Sequence, residues 1–367
     1  MYRIADLISH LEQIAPLSYQ EEYDNCGLLT GNKEDACTGV LLTLDVTEEV
    51  VDEAINKGFN LIVAHHPVIF KGLKKITGSN YVERIIIKAI QHNIALYAIH
   101  TNLDSVFHGV NGMLAARLHL YHTRILSPKK NLLSKLVTFI PSNDTESVMQ
   151  SIFASGAGSI GNYSECSFTV SGTGQFKPDA GANPQIGKIG ITEQVEEDRV
   201  EMIYPSYLEH KVVSALKKNH PYEEPAYDLI SLENTHSEVG SGVIGELKTA
   251  LTPEDFMKHV QHVLKPECIR YTTAFQGTIK KVAVCGGSGS FLLKTAVAAG
   301  ADALITSDFK YHDFFDAENR ILVCDIGHYE SEIHTKELLM DILTKKFANI
   351  AIVLSSIHTN PIGYFKL

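Results

Sequence analysis

No two cysteines in this 367-residue chain stand at CxxC spacing. The six that occur, Cys26, Cys37, Cys166, Cys268, Cys285 and Cys324, are scattered, which excludes a zinc-finger or thioredoxin pattern. Cys285 and Cys324 fall inside apolar runs and are expected to be buried thiols. Absent too is any apolar run long enough to cross a bilayer, so no membrane association is expected. Basic residues are in the minority: 32 Lys and Arg stand against 43 Asp and Glu, a net charge of -11. A phosphate backbone is then a poor default partner, and direct nucleic-acid binding is not expected. The opening "MYRIADLISHLEQIAPLS" reads as an amphipathic helix and lacks the basic start and apolar core of a signal peptide. A cytoplasmic setting is the expectation.

What is present suits a folded protein, with 44% hydrophobic and 20% charged residues. The length is enough for two modest domains. Two stretches share a layout: Gly39 to Pro67, "GVLLTLDVTEEVVDEAINKGFNLIVAHHP", and Lys280 to His312, "KKVAVCGGSGSFLLKTAVAAGADALITSDFKYH". Each reads as strand, polar turn, helix, glycine, strand and polar cluster. Each is followed by a helical stretch and a further strand, and the tetrad "IHTN" occurs at Ile99–Asn102 and again at Ile357–Asn360. These features predict two similar α/β half-domains, or a chance likeness between α/β units. From about Lys129 to Ser241 the order becomes strand, helix, strand, strand, helix, strand, the ferredoxin-like pattern. The expected strands are Lys135–Ile140, Cys166–Gly172, Arg199–Tyr204 and Tyr227–Ser231, and the expected helices Asp144–Ala154 and Tyr207–Asn219. The loop "GTGQFKPDAGANPQIG" separates the middle strands. The expected organisation is a discontinuous α/β domain, residues 1–128 and 241–367, with residues 129–240 inserted as a ferredoxin-like α+β domain.

Polar residues gather where the predicted strands end, which is where open α/β sheets hold ligands. In "NLIVAHHPVIF" two histidines, His65 and His66, follow an apolar strand. Neighbours on a strand point to opposite faces, and Pro67 ends the ladder, so the pair sits at a strand terminus. There the two rings can splay across a cleft, which suits two nearby ions better than one. The alternative is one structural and one exposed histidine. In "GHYESE", His328 and Glu332 are four apart and share a face if a helix starts near His328. Such a pair can hold one or two ions, with the carboxylate bridging. Asp104, in "HTNLDS", is either a ligand at a strand end or a helix cap.

Taken in order, "YDNCGLL" (Tyr23–Leu29), "VAHHP" (Val63–Pro67), "HTNLDS" (His100–Ser105), "TSDFKYHD" (Thr306–Asp313) and "GHYESE" (Gly327–Glu332) make the chain resemble the NIF-three-like family along nearly its whole length. Members are often named GTP cyclohydrolase I type 2 homologs. The resemblance implies a site for two divalent metal ions held by His65, His66, Asp104, His328 and Glu332, with Glu332 bridging. Zinc is the first expectation, with iron and manganese as alternatives; three imidazoles and two carboxylates do not suit a magnesium- or calcium-type oxygen cage. It also implies a homohexameric toroid built from dimers. "GTGQFKPDAGANPQIG" and "HPYEEPAYD" (His220–Asp228) resemble the PII-like or CutA-like insertion of longer bacterial members.

Asp308, His312 and Asp313 are expected either to line the same cleft or, for Asp313, to start a helix. His100 is either an acid–base group or a buried, hydrogen-bonded histidine, and Glu332 is the other catalytic candidate. "CGGSGS" (Cys285–Ser290) lacks the Walker lysine and the dinucleotide fingerprint, so a tight strand-to-helix turn is preferred to a phosphate cradle. Asp45 either reaches the metal cleft or caps the helix near Glu48. His220, Glu223 and Glu224 form a further, weaker metal candidate, which turn chemistry explains without an ion. The expected function is a metal-dependent hydrolase that activates water, with a nucleotide or other small-molecule ligand. The alternative is a non-catalytic metal carrier or a regulatory scaffold whose inserted domain senses a small molecule.

Overall fold

The computed structural model describes Met1–Phe365 and is a mixed α/β fold with several sheets. The chain divides into two compact units, Met1–Pro128 with Glu238–Leu367, and Lys129–Ser237. The first unit contains two sheets. In the first sheet the spatial order is Gly27–Thr30, Ala95–Ala98, Leu61–Ala64, Val40–Thr43 and Ile352–Leu354. The last four run parallel and Gly27–Thr30 is antiparallel at the edge. Every residue of Val40–Thr43, Leu61–Ala64 and Ala95–Ala98 is buried. Strands covered on both faces read as continuous apolar runs, which is why "VLLT", "LIVA" and "ALYA" do not alternate.

The intervening helices begin where the sequence offers a cap. Thr47 accepts the Val50 N–H at the start of Glu48–Lys57, and Asn80 accepts the Glu83 N–H at the start of Tyr81–Gln91. Their inner faces pack Val50, Val51, Ala54, Ile85, Ile86 and Ala89 against Leu41, Ile62 and Leu96 of the sheet.

The second sheet runs Arg270–Tyr271, Leu322–Asp325, Ala303–Ser307, Ile279–Ser288, Gly240–Leu251 and Tyr121–Pro128. Its inner three strands are parallel and the others antiparallel. Both sheets thus carry three adjacent parallel strands with an antiparallel strand flanking the third. Gly240 pairs with Pro128, so the chain leaves and re-enters this sheet on neighbouring strands. The second unit ends at Ser237: Glu238 accepts the Phe107 N–H and Val239 bridges Val106, both within the first unit.

In the second unit the spatial order is Phe168–Phe176, Glu193–Pro205, Leu133–Pro141 and Tyr227–Leu232, all antiparallel. Helices Thr145–Ala154 and Glu209–Asn219 lie between the first and second and between the third and fourth strands in the chain. Val148, Ile152, Val212 and Leu216 bury against Leu136, Ile140, Val200, Met202 and Tyr204. The third strand is much longer than the apolar stretch Arg199–Tyr204. Its polar start, Glu193–Glu197, pairs residue by residue with Gly172–Phe176, which carries the expected loop into the sheet. Cross-strand pairing overrides local polarity there.

Glu83 ties the loop before helix Tyr81–Gln91 to the helix start. Its carboxylate accepts the Thr77 N–H at 2.8 Å, the Ser79 N–H at 3.0 Å and both hydroxyls. These bonds, the Ser79 and Thr77 N–H groups first, pull the carboxyl down from 4.5 to about 2. Because the folded value is depressed, the stabilisation is present above the unfolded value and lost as pH falls towards 2. Glu83→Gln is therefore expected to lower the thermal midpoint at pH 7, with the gap to wild type narrowing from about pH 4.5 downward as far as both proteins fold. A gap that does not change with pH would contradict this.

Candidate metal centre

The centre lies in the first unit, where strands of its two sheets end. Parallel pairing continues one step past Leu61–Ala64, since the His65 N–H donates to Thr43 O and the His66 N–H to Leu44 O. Each N–H is thereby held to the neighbouring strand while the backbone bends at both histidines, and each ring has its own anchor. His65 is fully buried, and its Nδ1 lies 2.8 Å from Ile99 O. A carbonyl only accepts, so Nδ1 carries the proton and Nε2 presents a lone pair. That lone pair faces Asp104 Oδ1 at 3.6 Å and Glu332 Oε1 at 3.8 Å. His66 Nδ1 lies 2.7 Å from Asp45 Oδ1, which leaves Nε2 at 2.9 Å from Glu332 Oε2.

His328 and Glu332 come from the short helix His328–Glu332 after strand Leu322–Asp325. His328 Nδ1 lies 2.7 Å from Asp308 Oδ2, and its Nε2 is 3.1 Å from Glu332 Oε2 and 3.4 Å from His66 Nε2. Ser288 also donates to Asp308 Oδ2. Glu332, 2% exposed, therefore directs Oε1 towards His65 and Oε2 towards His66 and His328. Two sets of donor atoms fall within 4.8 Å of one another, His65, Asp104 and Glu332, and His66, His328 and Glu332. They share Glu332. The atoms of His65, His66 and His100 form a third such set.

This arrangement fits a cation. His65 Nε2 and Asp104 Oδ1 are buried with no hydrogen-bond partner among the described residues. A lone pair aimed at two buried carboxylates is costly unless something positive lies between them. Protons fill part of that role. Burial pulls His66 down, but Asp45 and Glu332 outweigh it and raise the ring to about 9. His328 rises likewise, to about 11, against burial, through Asp308 and Glu332. Burial opposes ionisation of Glu332, yet the rings of His328 and His66 hold it well below the usual carboxylate range. Burial and the facing Glu332 push Asp104 up. No Lys or Arg pairs with any of the five side chains among the described residues.

The other sequence candidates divide. Asp45 and Asp308 join the cluster by orienting His66 and His328. His312 does not; it is exposed and stacks on Phe315. Asp313 caps its own turn by accepting the Lys310 N–H. His100 sits beside the cluster, its ring 5.2 Å from those of His65 and His66, with Nδ1 2.9 Å from Asp24 Oδ1. Asp24 also accepts from the Thr101 N–H and hydroxyl. Burial would raise its carboxyl, but His100 and Thr101 hold it far below the normal range. Asp24 lies in "YDNCGLL", and its role in orienting His100 emerges only from the fold. In "CGGSGS", Cys285–Ser288 belong to a strand and Ser290 opens a short helical turn, in keeping with the preferred strand-to-helix turn. Strand Ile279–Ser288 runs through Gly286 and Gly287, and these glycines make room for Glu332. A Cβ at Gly287, whose φ is +62°, would stand 2.3 Å from Glu332 Oε1. Cys285 and Cys324 are buried, and burial pushes Cys324 up to about 12.

The sequence profile described as Duf34/NIF3 (NGG1p interacting factor 3) matches residues 2–361. A protein of Halalkalibacterium halodurans named "GTP cyclohydrolase 1 type 2 homolog" is 42% identical over 363 residues, covering 98% of each chain. One of the same name from Bacillus subtilis is 40% identical, covering 98% of this chain and 97% of its own. Among solved structures, a Bacillus cereus protein related to NIF3 superposes with a TM-score of 0.87 at 38% identity, covering 99% of both chains.

His65→Ala and His328→Ala are each expected to fold with an unchanged circular dichroism spectrum and a lower metal-to-protein ratio by elemental analysis. Unchanged ratios in both would refute the ligand assignment. Gly287→Ala, which touches no donor's chemistry, is expected to lower the ratio too by displacing the Glu332 carboxylate; full metal content there would contradict the close approach.

Proposed function

The chain belongs to the Duf34/NIF3 family, and on that footing we propose that it is a metal-dependent hydrolase with a two-ion centre. The single observation that carries the reading is Glu332, whose two oxygens serve two different donor sets. His65, Asp104 and Glu332 would hold one ion, and His66, His328 and Glu332 the other. Zinc is our first choice, with iron and manganese as alternatives, since mixed imidazole and carboxylate donors accept all three. Such ions supply charge that polarises a substrate atom and makes water a nucleophile at neutral pH.

The protein's own groups do the rest. Ile99 O, Asp45 and Asp308 fix the tautomers of the three imidazoles, so each ring offers Nε2 to the cleft. Asp24 does the same for His100, whose Nδ1–H it accepts. His100 Nε2 is then the group able to take a proton from the attacking water and return it to the leaving atom. The relatives' name points to opening of a purine-like ring. No Lys or Arg pairs with Asp24, Asp45, Asp308 or the five donors among the described residues, and the motifs carry no dense Lys/Arg cluster of the kind that clamps a triphosphate. The substrate class favoured is therefore a cyclic amide or amidine, with the phosphates of a nucleotide not required.

The missing clamp also supports a second reading, a non-catalytic metal carrier or regulatory scaffold. We take the Lys129–Ser237 unit as an inserted ferredoxin-like module of PII-like or CutA-like type, supported by its strand order and two helices. We further propose a homohexamer of dimers. The exposed aromatic patch of Tyr271, Tyr311 and Phe315 is consistent with self-association. A cytoplasmic setting agrees with six free cysteines. No described helix is long and apolar enough to cross a membrane.

The test is a hydrolysis screen of the zinc-, iron- and manganese-loaded protein against cyclic amides and nucleotides, paired with His100→Gln. The hydrolase reading predicts turnover that falls on the order of 100-fold in His100→Gln at unchanged metal content. Absence of turnover, with stoichiometric metal transfer to an apo-acceptor, would establish the carrier instead.

A further inference from the structure

The Lys129–Ser237 unit contains a cavity of about 620 Å³, a volume suited to a small ligand. Its walls include Phe139, Phe176 and Tyr222, and its charged groups are Glu197, Glu223 and Glu224. No Lys, Arg or His lines it. Glu197 is 9% exposed. Its Oε1 accepts the Tyr222 hydroxyl at 2.8 Å, while Oε2 has no hydrogen bond among the described residues. The carboxylate lies over Gly174, where a Cβ would stand 2.0 Å from Oε2, so the floor of the cavity is shaped around this one anion. Phe176 and Tyr222 meet edge to face, with centroids 5.5 Å apart. The Asn183 N–H donates to Glu223 and fastens the segment that carries Pro178 and Pro184 to the opposite wall.

A largely buried carboxylate with one oxygen open to the cavity, beside two further glutamates and no Lys, Arg or His, favours a positive ligand. An anionic ligand would meet three carboxylates, and a neutral one would leave the charge uncompensated. A metal ion is disfavoured by the donors themselves. His220 is spent, with Nδ1 accepting the Tyr222 N–H and Nε2 donating to Phe139 O. Glu197, Glu223 and Glu224 do not bring their oxygens within 4.8 Å of one another as a set. Aromatic faces beside a carboxylate suit a cation carried on carbon.

We propose that this cavity binds a small organic cation, an alkylammonium or alkylguanidinium, with Glu197 as its counter-charge and Phe176 and Tyr222 as its walls. The inference stands apart from the metal-centre reading, since it uses none of those residues. The experiment is an NMR titration of the full chain at pH 7 in 0.15 M salt with n-pentylamine, n-pentylguanidine, n-pentanol and pentanoate. The two cations are expected to saturate a single site, with pentanol and pentanoate at least tenfold weaker. Glu197→Gln is expected to weaken the cations at least tenfold, and Phe176→Leu, which keeps the carboxylate, at least threefold. If Glu197→Gln does not fold, the charge preference of the wild-type protein and the Phe176→Leu result decide. Failure of both cations to saturate, equal binding of pentanol, or wild-type affinity in a folded Glu197→Gln would each overturn the proposal.

Discussion

A carboxylate that is 2% exposed, faces three imidazoles and meets no lysine or arginine among the described residues sets the terms for the first unit. Glu332 stays ionised in a buried place only because positive charge surrounds it. Asp104 approaches the same place, and burial together with Glu332 drives its carboxyl up. Removing the positive charge would leave two buried anions and a histidine lone pair facing one another. Cations held by both donor sets would resolve that conflict.

The surrounding fold is arranged to make this carboxylate possible. The parallel strands Val40–Thr43 and Leu61–Ala64 carry the backbone that fixes His65 and His66. Gly286 and Gly287 leave the space that Glu332 fills, and the Gly287 N–H donates to Ser331 beside it. Three acceptors of two kinds, a backbone carbonyl and two aspartate carboxylates, fix the three rings. Asp308 performs this from a left-handed backbone conformation, φ +60°, a geometry that aspartate tolerates better than most residues. A site held this way is rigid before any ligand arrives, which is what precise positioning of metal ligands requires.

Much of this was legible in the chain. The end of an apolar strand followed by two histidines and a proline located the first half of the cluster. The four-residue spacing of His328 and Glu332 located the second. What could not be read was which polar neighbours turn inward. Asp308 and His312 are close in sequence, yet Asp308, itself in a left-handed conformation, orients His328, while His312 stacks on Phe315 at the surface. "CGGSGS" left a phosphate cradle open beside the preferred tight turn, because glycine reports close approach but not what approaches. Glu193–Glu197 hid a strand because its partners, Gly172–Phe176, are themselves poor strand formers, and only the ladder joins them. Asp24 gave no signal of its own, since its role depends on His100, 76 residues away.

Two ions, one on each side of the Glu332 carboxylate, would account for both donor sets. Anomalous diffraction from crystals of protein purified without added metal, collected at the edges of zinc, iron and manganese, tests it most directly. Two peaks are predicted, one among His65, Asp104 and Glu332 and the other among His66, His328 and Glu332. A single peak, peaks elsewhere, or no peak after metal is supplied would contradict the account.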